Sequence, residues 1–126
     1  MLVDRTILVV DDSATVRKFV SVSLSMQGFR VVTAEDGMDA LEKLPREHVD
    51  LIITDLNMPN MDGMELARTL RGNPVYHDVP IIILTSLQDK ALKTESENLG
   101  INSYLNKPFS LEKVQYEVSK YISWAE

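Results

Sequence analysis

The chain contains no cysteine, which excludes a disulfide framework and any zinc site built on thiolates. It has no long hydrophobic run either. Its apolar stretches are a few residues each, far short of the roughly 20 needed to cross a bilayer. The opening residues, MLVDRTILVVDD, turn acidic at once and carry no cleavable signal pattern. These absences lead us to expect a cytoplasmic location and no membrane partner. Basic residues are outnumbered, 13 against 19, giving a net charge of −6, and they form no stripe. Generic nucleic-acid binding depends on Lys and Arg neutralising phosphates, so it is not expected of this chain by itself. The pairs Arg17–Lys18 and Lys90/Lys93 are expected on solvated helix surface. No repeat, low-complexity segment or linker interrupts the sequence, and 126 residues suit a single domain, taken as 1–126.

What the chain does have is an ordinary globular balance, 44% hydrophobic and 25% charged, arranged in alternating patterns. The runs Ile7–Val10, Leu51–Ile53, Ile81–Leu84 and Tyr104–Leu105 are too short for helices and rich in β-branched residues. They read as strands buried on both faces, with a further strand at Phe29–Thr33. Between them lie helical patterns. Ser13–Met26 carries Val16, Phe19, Val20 and Leu24 on one stripe and stops at Gly28. A second helix near Gly37–Leu44 ends at Pro45, and a third, Gly63–Arg71, runs into Gly72–Asn73–Pro74. A fourth is expected over Asp89–Leu99, stopped by Gly100. A fifth, from Ser110, carries Leu111, Val114, Val118 and Ile122 on one face. Strict alternation of this kind implies an α/β fold: parallel strands, right-handed crossovers and helices on both faces of the sheet.

The chemistry-bearing residues fall where the strands end. Asp11 and Asp12, Asp55, Thr85 and Lys107 each follow one of the aliphatic runs. In a parallel sheet those ends share one edge, where ligands of open α/β folds bind. Asp11 or Asp12 could serve merely as a helix cap, but one residue suffices for that and Ser13 is available. Three carboxylates brought together repel unless a cation joins them, and Mg²⁺ with phosphoryl transfer is the chemistry that fits. Asp55 alone would be an ordinary turn residue; beside a metal it can act as a nucleophile and form an aspartyl phosphate. Asn57 could add a backbone carbonyl to the metal shell, while Pro59 and Gly63 fix the loop's path. Lys107 could pair with Asp55 and then with a phosphoryl oxygen, and Thr85 offers a hydroxyl to the same group. His48 and His77 are expected on the surface away from this edge. Trp124 covers the last helix or serves as a contact point, and packing accounts for the methionines.

The segments LVVDD, DLNMP, MDG, LTS and YLNKPF, in this order and spacing, closely resemble the receiver domains of two-component response regulators. The resemblance covers essentially the whole chain and is strongest to free-standing receivers of the chemotaxis type. It implies a flavodoxin-like, doubly wound (βα)5 fold with a five-stranded parallel sheet in the order 2-1-3-4-5. It also implies a switch that takes a phosphoryl group from a histidine kinase onto Asp55. Mg²⁺ would be held by Asp11, Asp12, Asp55 and the Asn57 carbonyl. Thr85 and Lys107 would contact the phosphoryl group, with Thr85 and Tyr104 moving as the switch. An output protein would bind the face made by the fourth helix, fifth strand and fifth helix. Such a protein is a signalling phosphoacceptor, catalysing only its own phosphorylation and dephosphorylation. One family position is less typical: Leu87, in a place that is often polar, cannot orient a hydrolytic water. Two other classes fit less well. A phosphohydrolase of the haloacid dehalogenase type needs D-x-D where this chain has Asp55–Leu56–Asn57. A flavodoxin-like FMN carrier needs a Ser/Thr/Gly-rich loop where Asp11–Asp12 would repel the phosphate.

Overall fold

Short β-branched runs, bounded by polar turns, form five strands: β1 (Thr6–Val10), β2 (Arg30–Ala34), β3 (Leu51–Asp55), β4 (Ile81–Thr85) and β5 (Ser103–Asn106). The structure, a computed structural model, describes residues 5–86 and 99–122. All neighbouring strands are parallel. They form a single sheet in the order β2-β1-β3-β4-β5, the order expected from the resemblance. Helices α1 (Ala14–Ser25), α2 (Gly37–Lys43), α3 (Gly63–Arg71) and α4 (Leu111–Ser119) connect or follow them.

The strands β1, β3 and β4 are buried along their whole length, as their continuous apolar runs require. Their alternating side chains build two cores. Leu8, Val10, Ile52, Ile81 and Ile83 pack with Ala40, Leu44, Leu66 and Leu70 on one face. Ile7, Val9, Leu51, Ile53, Ile82 and Leu84 pack with Val20, Leu24, Val114 and Val118 on the other. Each buried Val, Leu or Ile side chain contributes about 1.5–3 kcal/mol, so the sheet is the rigid part on which the loops rest. All four helices start on a capping side chain. Ser13, Asp36, Asp62 and Ser110 accept from the N–H groups of Val16, Asp39, Glu65 and Lys113, each such cap being worth about 1 kcal/mol.

The structure differs from the sequence pattern at several element ends. The second strand begins at Arg30, whose N–H joins the Arg5 carbonyl at 2.9 Å, while Phe29 turns into the core. After α2, Leu44–Arg46 continues as a 3-10 turn with Pro45 inside it. The missing N–H of Pro45 falls in the first turn, where no partner is needed. Phe19, expected on the apolar stripe of α1, is 41% exposed and leans on Phe109 with ring centroids 6.0 Å apart. The last helix ends at Ser119, so Ile122 lies beyond it, although it still packs against the second core. The helix expected over Asp89–Leu99 falls almost wholly on 87–98, outside the described residues, together with Leu87, Lys90 and Lys93. Trp124 also lies outside them.

Candidate functional site

Register decides which residues meet at the carboxyl edge of the sheet. Val10 pairs with Thr54, Asp55 with Leu84, and Thr85 with Asn106. Asp11, Asp55, Thr85 and Lys107 therefore stand at one height, each at the end of its strand or one residue past it. Asp11 is fully buried, and Asp55 and Thr85 nearly so; Asp12 faces solvent.

Asp11 is held on every side. Its N–H donates to the Ala34 carbonyl at 3.1 Å, and its Oδ1 accepts from the Ser13 N–H at 2.8 Å. Its Oδ2 lies 3.3 Å from the Lys107 ammonium, which lies 3.3 Å from Asp55 Oδ1 as well. Lys107 is itself fixed by a backbone bond to the Thr85 carbonyl at 2.9 Å, and a cis peptide joins it to Pro108. Arg17 corrects the surface expectation. It is half-buried, and its Nη1 donates to the Asp11 carbonyl at 2.7 Å. Helical side chains point back toward the N-terminus. A long cation one turn into α1 could thus have been read as reaching the acidic turn. Lys18 is exposed, as expected.

Burial, then the Asp11 charge, pushes the Asp55 carboxyl above its ordinary value, and Lys107 only partly opposes this. Burial works against the Lys107 ammonium, but Asp55 and Asp11 outweigh it and hold its pKa above the usual lysine range. One cation thus faces two buried acids, with a third acid beside them. Ligand oxygens of Asp11, Asp12 and Asp55 all lie within 4.8 Å of one another. An all-carboxylate set suits a hard divalent cation such as Mg²⁺, and the exposed Asp12 leaves the cluster open to water and phosphate oxygens. Among the described residues this is the one acidic cluster of that kind.

The strand-to-helix loop after Asp55 is closed at its base. The Gly63 N–H donates to the Leu56 carbonyl at 2.9 Å. A Cβ on Gly63 would come within 2.3 Å of the Asp55 carbonyl oxygen, so only glycine lets α3 start this close to the nucleophile candidate. Asn57 is exposed at the start of this loop. Tyr104, half-buried on β5 and paired with Ile83, packs against the core on the α2–α3 face. The two histidines lie at the opposite end of the sheet, as expected. His48 is 3.1 Å from Asp50 and His77 is 3.2 Å from Asp78, in loops that lead into β3 and β4.

Comparison with known proteins gives this geometry a family. Residues 7–119 match the model of the response regulator receiver domain. The chain belongs to that family. It is 39% identical over 112 residues to the probable transcriptional regulator ycf27 of Porphyridium aerugineum, covering 89% of this chain and 45% of that protein. It is also 39% identical over 108 residues to the response regulator MprA of Mycobacterium tuberculosis (strain ATCC 25177 / H37Ra), covering 86% and 46%. This receiver therefore spans less than half the length of these curated relatives. Among solved structures, the chemotaxis protein CheY4 of Vibrio cholerae superposes with a TM-score of 0.91 at 35% identity, covering 95% of this chain and 100% of that one. The receiver domain of the sensor histidine kinase PA1611 of Pseudomonas aeruginosa, solved with a magnesium ion coordinated in its active site cleft, gives 0.84 at 28% identity. It covers 94% of this chain and 98% of that one. Among the described residues of this receiver, no helix is long and apolar enough to cross a membrane.

Proposed function

We propose that this receiver, one domain over 1–126, is a phosphorylation-operated switch whose phosphoacceptor is Asp55. The observation that carries the reading is the nearly buried Asp55 carboxylate, 3.3 Å from the Lys107 ammonium and clustered with Asp11 and Asp12. In this reading Asp11, Asp12, Asp55 and the Asn57 main-chain carbonyl hold Mg²⁺. The ion, when bound, would offset the charge of the acids and of the incoming phosphoryl group. An Asp55 oxygen attacks the phosphorus of a phosphohistidine on a histidine kinase. The new P–O bond forms as the P–N bond breaks, and the imidazole leaves with the electron pair and takes up a proton.

Lys107 starts bonded to Asp55 and turns to a phosphoryl oxygen as charge moves there. Thr85 donates its hydroxyl to the same group, and Tyr104 moves inward behind it. A new dianion gains charge-assisted bonds that favour one of two packed arrangements. The changed surface is the face of the fourth helical segment of the sequence pattern, β5 and α4, where an output protein binds. A protein partner is favoured over nucleic acid by the net charge of −6, and the site of action is the cytoplasm. The receiver catalyses only its own phosphorylation and dephosphorylation.

Acetyl phosphate with Mg²⁺ tests this directly. Intact-mass measurement is expected to show a single added phosphoryl group, absent without Mg²⁺ and absent in Asp55→Asn. Equal labelling of Asp55→Asn would sink the assignment.

A further inference from the structure

The loop between Asp55 and α3 is fastened at a second point, away from its base. Asn60, near its tip, has φ 69°, in the left-handed region. That conformation is unfavourable for residues with a side chain, though Asn tolerates it better than most. Its Nδ2 donates to Asp36 Oδ2 at 2.9 Å. The other oxygen of that carboxylate, Oδ1, accepts from the Asp39 N–H at 2.8 Å as the cap of α2. The next residue, Met61, lies against Gly37, where a Cβ would meet its Cγ at 2.7 Å. Two adjacent loop residues thus rest on the corner that joins β2 to α2. The Asp39 N–H, and after it the Asn60 amide, hold the Asp36 carboxyl below its ordinary value, consistent with a carboxylate that accepts both bonds.

With its base closed by Gly63 and its tip held by Asp36, the segment from Asn57 to Asp62 is fastened at two points. We propose that Asp36 and Asn60 form a latch that positions the Asn57 main chain and so sets the affinity of the acidic cluster for Mg²⁺. Neither residue touches the metal or the phosphoryl group; both are positioning residues acting through the loop. The proposal rests on the reading of Asp11, Asp12, Asp55 and Asn57 as a Mg²⁺ site.

Two variants separate the latch from its surroundings. Asn60→Gly keeps the left-handed backbone and removes the amide. Asp36→Ser keeps a good cap for α2 but is too short to reach residue 60. Titration of each protein with magnesium chloride, followed by amide NMR shifts and without a phosphodonor, is expected to show affinity lowered by about three-fold or more, the scale of one lost hydrogen bond. Phosphorylation by acetyl phosphate at saturating Mg²⁺ should stay within about two-fold of the parent, because the loss is one of ground-state binding. The exchanged pair Asp36→Asn with Asn60→Asp can remake the bond with donor and acceptor reversed, and it should regain the affinity. Urea unfolding with EDTA checks that each variant is folded.

Parent-like Mg²⁺ affinity in both single variants overturns the latch, as does an exchanged pair that is folded yet binds as weakly as they do. A parent that binds no Mg²⁺ overturns the metal site itself, a failure distinguishable because it appears before any variant is made.

Discussion

Lys107 stands between two buried carboxylates, 3.3 Å from each, and its ammonium is the group that lets Asp11 and Asp55 share an edge. It does not fully neutralise them. Asp55 keeps a raised pKa, caused first by burial and then by Asp11. The fold therefore holds the Asp55 proton more tightly than the unfolded chain does. Stability from this group is fully present below the ordinary carboxylate value of 3.8 and declines as pH rises through the folded value. Lys107, also raised, contributes stability below its ordinary 10.5 and loses it as pH rises through its own folded value. In EDTA, Asp55→Asn should thus be more stable than the parent at neutral pH, because the amide mimics the protonated acid. The gap should close on acidification below 3.8. Urea unfolding of both proteins across that range reads this out, and a gap that does not change with pH would refute it.

The elements that carry the site are tied together at the far end of the sheet by Arg71, the last residue of α3. Its Nε donates to the Leu99 carbonyl at 2.8 Å. Its Nη1 reaches the carbonyls of Tyr76, His77 and Val79, and its Nη2 reaches that of Gly100 at 3.1 Å. One planar fork thus joins α3 to the turns that lead into β4 and β5, the strands that end at Thr85 and beside Lys107. Arg71→Ala should lower stability by about 2 kcal/mol or more, since charged hydrogen bonds are lost and carbonyl acceptors are left bare. Arg71→Lys should recover only part of this, because an ammonium is a compact donor and cannot span the same carbonyls. Urea midpoints at constant m-value measure both effects. An Arg71→Ala protein as stable as the parent would show the fork to be dispensable.

At the scale of the whole molecule, the sheet stores its repulsion at one edge, where three acids meet on a chain that is already anionic. A divalent cation bound there stabilises the folded state alone, by about 1.4 kcal/mol at ten times its dissociation constant. Asp12→Ala should raise stability without metal, by removing one repelling charge, and should lose most of the Mg²⁺ response. Thermal unfolding with and without Mg²⁺ measures both. If Asp12→Ala gains as much from Mg²⁺ as the parent does, the ion binds elsewhere.

The sequence alone determined the alternation of elements, because buried parallel strands need continuous β-branched runs such as Ile81–Leu84 and amphipathic helices need a stripe such as Val16, Val20 and Leu24. The acids, Thr85 and Lys107 were legible because each follows such a run, and the order of motifs made the family readable. Element ends were less so. Pro45 falls inside a 3-10 turn and Phe19 leans outward onto Phe109, since helix ends and the edge of a stripe depend on which neighbours arrive. Arg71 across two turns and Asn60 on Asp36 were invisible for the same reason. Each joins residues whose separation in the chain carries no periodic signal. Only the packed sheet, by setting strand order and register, brings their partners within reach.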